Sequence, residues 1–157
     1  MDVTLLAIGK TRAGFVLDGI GEYTRRLRHY VPFSLEELPD VKTSKAMSEE
    51  MQKTREGELM LSRVSQSDYL VLLDERGTQY TSMEFSRYME KMMASGRRRI
   101  VFAVGGPYGF PKSVYDRADA RISLSKMTFN HEMVRLFFIE QIYRAMTILR
   151  GEPYHHE

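Results

Sequence analysis

Cysteine is absent from this chain. Its absence excludes disulfides and thiolate metal sites and fits a reducing compartment. No apolar run approaches the roughly 20 residues needed to span a bilayer. Met1-Asp2-Val3-Thr4-Leu5-Leu6 lacks the basic n-region and long apolar h-region of a signal peptide, so the expected location is the cytoplasm. There is no internal repeat, low-complexity segment or linker, and 157 residues are most simply one domain with a core of its own. Net charge is also small: 23 Lys+Arg against 21 Asp+Glu leave +2. Phosphate contacts would therefore rest on local patches. Two exist: Arg25, Arg26 and Arg28 beside His29 and Tyr30, and Arg97-Arg98-Arg99. A solvated helix face and a charged loop before a strand account for both just as simply.

What the chain does have is alternation of element types. Val3–Ile8, Phe33–Leu38, Tyr69–Leu73, Ile100–Val104 and Ala120–Leu124 are short apolar runs that read as strands. Helical spacing runs between them, over Phe15–Tyr30, Ser48–Val64, about 82–95 and about 112–118, with a final stretch from His131 to Leu149. Residues 40–50 are polar and read as a loop. Asp74-Glu75-Arg76-Gly77 reads as a turn. Thr81 or Ser82 caps one helix and Asn130 caps the last, with Glu132 in its positive first turn. This order predicts an α/β fold, a parallel sheet with helices on both faces. The last helix is apolar on more than one side (Met133, Val134, Phe137, Phe138, Ile139, Ile142, Tyr143, Met146, Leu149). That breadth predicts a second subunit packed on it.

The most pointed local signal is Ile100–Phe110, where a buried strand stops at Gly105-Gly106-Pro107-Tyr108-Gly109. Glycines at a strand's carboxyl end open the backbone to a ligand. The turn is not a P-loop, for no Gly-Lys-Ser/Thr follows, and not a dinucleotide fingerprint. Taken alone it is as often structural as ligand-binding. Gly9-Lys10-Thr11 lacks the upstream glycine of a P-loop. Asp74 either accepts from a ligand hydroxyl or caps its turn. Asn130-His131-Glu132 is not a metal site, since position 135 is Arg where a second His would stand; no coherent metal-ligand set exists, and His131 is left for a substrate contact. The tail Pro153-Tyr154-His155-His156 is aromatic and titratable, suited to base stacking and proton transfer.

Three segments together carry a resemblance: Leu72–Gly77, Gly105–Gly109, and the C-terminal block of Ile122–His131, Arg135, Glu140–Ala145 and Pro153-Tyr154-His155. In order and spacing they resemble the bacterial large-subunit ribosomal RNA methyltransferase H family, of SPOUT class. The resemblance spans essentially the whole chain, is weak over 10–65 and specific from 69 onward. It implies a C-terminal trefoil knot and a homodimer. The implied activity is transfer of a methyl group from S-adenosylmethionine to N3 of a pseudouridine in 23S rRNA, on the assembled ribosome, with no metal and no membrane. Carried over by position, Leu73 lines the adenine pocket, Gly105 lets backbone approach the cofactor, and Leu124, Ser125, Lys126, Met127, Thr128 and Phe129 form the loop that wraps it. His131, Arg135, Arg144, Tyr154 and His155 match substrate-side positions. His155 is expected to assist deprotonation or orient the base, Tyr154 to stack or hydrogen-bond, and Arg135 and Arg144 to hold phosphate or carbonyl groups. Many relatives end Tyr-His-Arg or Tyr-His-Lys; here His156 takes that place. The competing readings are a non-catalytic RNA- or ribosome-binding module and a flavodoxin-like nucleotide binder, the latter disfavoured for want of a phosphate loop.

Overall fold

A computed structural model describes all residues, 1–157. Its strands are β1 (Asp2–Ile8), β2 (Phe33–Leu38), β3 (Tyr69–Gln79), β4 (Arg99–Val104) and β5 (Ala120–Ser123), and its helices α1 (Gly14–Leu27), α2 (Glu49–Ser62), α3 (Ser82–Met93), α4 (Lys112–Arg117) and α5 (Met133–Leu149). The strands form one sheet in the order β2-β1-β4-β3-β5, every pairing parallel. The expected α/β architecture is the one found.

Strand alternation sorts the core into two layers. Val3, Leu5, Val71, Ile100, Phe102 and Val104 point to one face, where α1, α3 and α5 contribute Ile20, Phe85, Phe138, Ile139 and Ile142. Leu6, Leu70, Leu72, Val101 and Ala103 point to the other, under Met60 of α2 and Val114 of α4. The period of two along each strand makes both layers from the same residues. Crossovers that move one way along the sheet (β1 to β2, β3 to β4) carry α1 and α3. Those that move back (β2 to β3, β4 to β5) carry α2 and α4. Changing face with direction keeps the crossovers one-handed. It also creates a switch point: β1 and β4 are neighbours, with Leu6 opposite Ala103, yet their outgoing chains depart to opposite sides.

Capping follows local chemistry. Thr81 and Glu84 form a reciprocal capping box at α3. Asn130 Oδ1 accepts from the Glu132 and Met133 N–H groups at the start of α5. Glu132 itself behaves differently from the expectation. Its Oε1 accepts from the N–H groups of Arg12 (2.7 Å) and Ala13 (3.0 Å), so its charge serves the start of α1 rather than its own helix. Those two donors hold its carboxyl below the usual range.

Two sequence expectations are corrected here. Residues 74–77 are not a simple turn. β3 continues to Gln79, and both Leu73 and Thr78 pair with Ile122, so the intervening residues form an excursion within a strand that resumes its ladder. Gly77 makes this possible, because a Cβ there would lie 2.6 Å from the backbone N and C of Ile122. The second correction concerns the breadth of α5, which does not by itself call for a second subunit: α1 and α3 flank the helix and the sheet lies beneath it, burying Phe138, Ile139, Ile142, Tyr143 and Met146. Its exposed apolar residue is Phe137, at 42%.

Arg135 is the third departure. Expected on the substrate side, it is 1% exposed. Its guanidinium donates to the carbonyls of Ile8 (2.8 Å), Gly9 (2.8 Å) and His131 (3.2 Å), to Thr11 Oγ1 (3.0 Å) and to Glu37 Oε2 (2.7 Å). Thr11 reinforces this by donating to the same carboxylate from N–H and hydroxyl. All three guanidinium nitrogens of Arg135 are thus engaged within the chain. It ties the start of α5 to the ends of β1 and β2.

Three substitutions test these contacts. Gly77→Ala forces a methyl group into backbone and should cost about 1–3 kcal/mol, read from the denaturant midpoint. Arg135→Ala removes the counter-charge of Glu37 and the donors of three carbonyls and should cost about 3–5 kcal/mol. Arg135→Lys should recover only part of that loss, because an ammonium lacks the guanidinium's fork of five donors.

Candidate active site

The carboxyl edge of the sheet, where α/β folds bind ligands, carries a cavity of about 770 Å³. Leu73 and Asp74 within β3, Val104 to Phe110 after β4, and Ser123 to Asn130 without Lys126 after β5 surround it, with His131 and Val134 closing the side towards α5. Leu73, Gly105, Leu124, Ser125, Met127, Thr128 and Phe129 of the expected cofactor set all line it. Lys126 lies in the same loop but not on the wall.

The glycine turn is compact. Gly109 adopts φ +80°, a conformation open to glycine, and pairs back with Gly106. A Cβ on Gly105 would stand 3.3 Å from the Gly109 backbone and the Phe110 ring. The opposite wall is cross-braced: Thr128 Oγ1 donates to Glu75 Oε1 (2.9 Å), joining the 124–129 loop to the excursion in β3. Asp74 neither caps a turn alone nor stands free. It accepts from the Arg76 N–H and from the Tyr115 hydroxyl. Burial and that carboxylate push the Tyr115 phenol up to about 12, so it stays a donor across the neutral range.

A pocket of this kind fits a nucleoside with an apolar flat face. Leu73, Val104, Leu124 and Phe129 supply apolar surface, and the glycine turn and the 124–129 loop supply backbone donors and acceptors. No group of three or more His, Asp or Glu side chains is placed to hold a metal ion.

The other expected site residues gather elsewhere. Met133 and Arg144 are roughly 16 Å apart along α5 at ~1.5 Å rise per residue, and Arg144, Tyr154 and His155 form a cluster on the far half of the helix. Arg144 Nη2 donates to Glu140 Oε1 (2.6 Å), and its guanidinium lies 4.8 Å from the Tyr154 ring centre. The Tyr154 hydroxyl donates to Glu140 Oε1 (2.8 Å) and sits 3.1 Å from the Tyr23 hydroxyl. Its ring packs edge-on against Tyr143 at 4.8 Å. Burial and these two hydroxyl contacts raise the Tyr154 phenol. Arg144 Nη1 lies 3.2 Å from His155 Nδ1. A guanidinium only donates, so Nδ1 is the acceptor and the ring's proton sits on Nε2, facing outward as a donor.

The basic runs are partly spoken for. Arg25 and Arg26 pair with Glu22, Arg97 lies over the Tyr69 ring, and Arg99 pairs with the buried Asp68. A residue that sequence reasoning missed is Glu56 of α2, 3% exposed and set against Gly106. It reads as an ordinary polar helix position. Only the neighbouring Gly57, which lets α2 press on Pro111, hints that this helix face is inside.

Comparison with known proteins agrees with this arrangement. Residues 1–155 match the family model described as a predicted SPOUT methyltransferase. The chain is 59% identical over 157 residues to the ribosomal RNA large subunit methyltransferase H of Parabacteroides distasonis, covering 100% of both chains. It is 54% identical to the proteins of that name from Christiangramia forsetii, over 99% of both chains, and Porphyromonas gingivalis, over 100% of both. With the fold, the pocket and these matches in agreement, the chain belongs to the SPOUT methyltransferase family.

Proposed function

We propose that the protein, as one domain spanning 1–157, methylates N3 of a pseudouridine in 23S rRNA with S-adenosylmethionine, on the assembled ribosome in the cytoplasm. The observation that carries this reading is the cavity at the ends of β3, β4 and β5, whose walls are the residues the family motifs mark. The full-length identity to proteins named ribosomal RNA large subunit methyltransferase H supports the same substrate. The trefoil knot implied by the family belongs to this reading, with residues 124–129 passing through it. The bound cofactor supplies an activated methyl group on a sulfonium centre. Leu73 would line its adenine pocket, the backbone at Gly105 would approach it, and the 124–129 loop would wrap it. The protein's remaining task is to orient the acceptor, exclude water and remove the N3 proton.

The working unit in this reading is a homodimer. The donor cavity flanks the first turn of α5, and the Arg144–Tyr154–His155 cluster packs on the second half of the helix. In this reading a second copy brings its own cluster over the first chain's cavity. Phe15 on α1 (69% exposed) and Phe137 on α5 give such a contact apolar surface. Within the tail, Arg144 pins His155 so that Nε2–H donates to a base carbonyl or a phosphate oxygen. His155 thereby orients the substrate, the second of the roles expected for it. Tyr154 holds the tail on Glu140. His131, 66% exposed at its side chain and on the cavity rim, faces the acceptor. His156, which replaces a cation common in relatives, gives a phosphate contact.

Calorimetry should show S-adenosylmethionine binding to the wild-type protein, and labelled methyl should pass to ribosomes faster than to stripped rRNA. Equal labelling of free rRNA would sink the ribosome requirement. Gly105→Val should abolish cofactor binding. His155→Ala should leave cofactor affinity unchanged and lower transfer. Mixing these two inactive variants should restore activity if one chain's pocket meets another's tail; no recovery after verified subunit exchange argues for a site within one chain.

A further inference from the structure

A second cavity, of about 250 Å³, lies beside the first. It sits where β1 and β4 send their chains to opposite sides, the switch point at which open α/β sheets bind ligands. Ile8, Gly9 and Lys10 close one side and Asp40 another, while Gly105, Gly106, Pro107 and His131 form the wall shared with the larger cavity. Two cavities separated only by the Gly105-Gly106-Pro107 ridge and His131 suit two reactants that must meet.

Glu56 lines this smaller cavity and not the larger one. It is almost wholly buried, and its Oε1 has no hydrogen-bond partner. The other oxygen has one long contact, 3.5 Å from Gln52 Nε2. The placement is built into the backbone. A Cβ on Gly57 would stand 2.3 Å from Pro111 Cγ, so glycine there lets α2 close on the turn after β4. A Cβ on Gly106 would stand 2.3 Å from Glu56 Oε1, so glycine there leaves the carboxyl its room. An unpartnered buried carboxylate is costly unless something pairs with it. Arg135, the nearest buried cation on the cavity wall, is committed to Glu37 and four other acceptors.

Resting on the reading above, we propose that Glu56 is the general base of the reaction, accepting the N3 proton of the pseudouridine held in the smaller cavity. The cavity has room for one flat heterocycle, taken out of its stack as enzymes acting on bases require. The N3 lone pair forms the new bond to the methyl carbon as the bond from that carbon to sulfur breaks. The bonding pair stays on sulfur as a neutral thioether, and the N3 proton passes to the carboxylate. Charge balances: a sulfonium and a carboxylate become a thioether and a carboxylic acid. His155 is not the acceptor here, because its Nδ1 already takes a hydrogen bond from Arg144.

Burial and the nearby Asp40 carboxylate raise the Glu56 carboxyl above its ordinary range, closer to the pH at which a base must work. The charged groups around it are Lys10 and Arg12 after β1, Asp40 after β2, and His131, Glu132 and Arg135 at α5. Transfer should therefore rise with pH as Glu56 ionises. The test is single-turnover methyl transfer to ribosomes across pH, with S-adenosylhomocysteine affinity measured separately by calorimetry. Glu56→Gln should bind S-adenosylhomocysteine as the wild type does and lose transfer by about 10²–10⁴-fold. The rising limb should vanish in Glu56→Gln yet persist in His131→Asn. Transfer by Glu56→Gln at the wild-type rate overturns the assignment, as does a parallel loss of rate and affinity, which marks a structural role. If Glu56→Gln does not fold, Glu56→Asp decides: a shifted limb supports the assignment and an unshifted one overturns it. A wild-type protein that leaves ribosomes unlabelled overturns the parent reading instead.

Discussion

One buried guanidinium holds the carboxyl edge of this sheet together. Arg135 enters from the first turn of α5 and takes carbonyl oxygens from the ends of β1 and from His131, with the Glu37 carboxylate of β2 as its counter-charge. A guanidinium this deep survives only when it is paired and hydrogen-bonded, and here each of its nitrogens is engaged. Burial lowers its pKa against the pull of Glu37 and Glu132, yet a guanidinium remains charged throughout the working range. Glu132, three residues earlier, adds a second tie to the start of α1. Between them these two side chains set where α5 begins, and so where His131 stands relative to the glycine turn. Both cavities share His131 and the Gly105–Pro107 ridge, so their relative placement depends on this anchorage.

The division of labour along α5 follows. Its first turn belongs to the pocket side. Its second half carries Glu140 and Arg144, which order the tail through Tyr154 and His155. Tyr30 adds a further hold on the tail by donating to Glu152, a contact that pushes its phenol up to about 12. A tail that would otherwise fray is thus fastened by aromatic packing and charge-assisted hydrogen bonds. The rigid helix between fixes the distance from pocket to tail.

Much of the fold was legible because strand parity and helix spacing leave strong marks. Val3, Leu5 and Ala7 alternate with Leu6 over a run too short to be anything but a strand, and Gly105-Gly106-Pro107 announces its own break. The 74–77 excursion was not legible. Asp-Glu-Arg-Gly has turn composition, and only the clearance between Gly77 and Ile122 shows that the ladder resumes. The direction of α5 towards α1 and α3 was hidden too, since periodicity reports how wide an apolar surface is, not what covers it. Of the candidate site, the residues that line the larger cavity were readable from three segments in order. Arg135 was misplaced because an arginine inside a helix reads as surface, and Glu56 went unnoticed for the same reason.

The anchorage through Arg135 has a consequence for how the protein is made. Its partners Ile8, Gly9 and Thr11 come from the start of the chain and the guanidinium from near its end. During synthesis β1 must wait for β4 to fill its second edge and for α5 to reach its carboxyl end. Contacts this distant in sequence form late and slowly. The nascent chain therefore leaves the ribosome with its switch-point crevice unfinished, and the crevice acquires its shape only after most of the polypeptide is free.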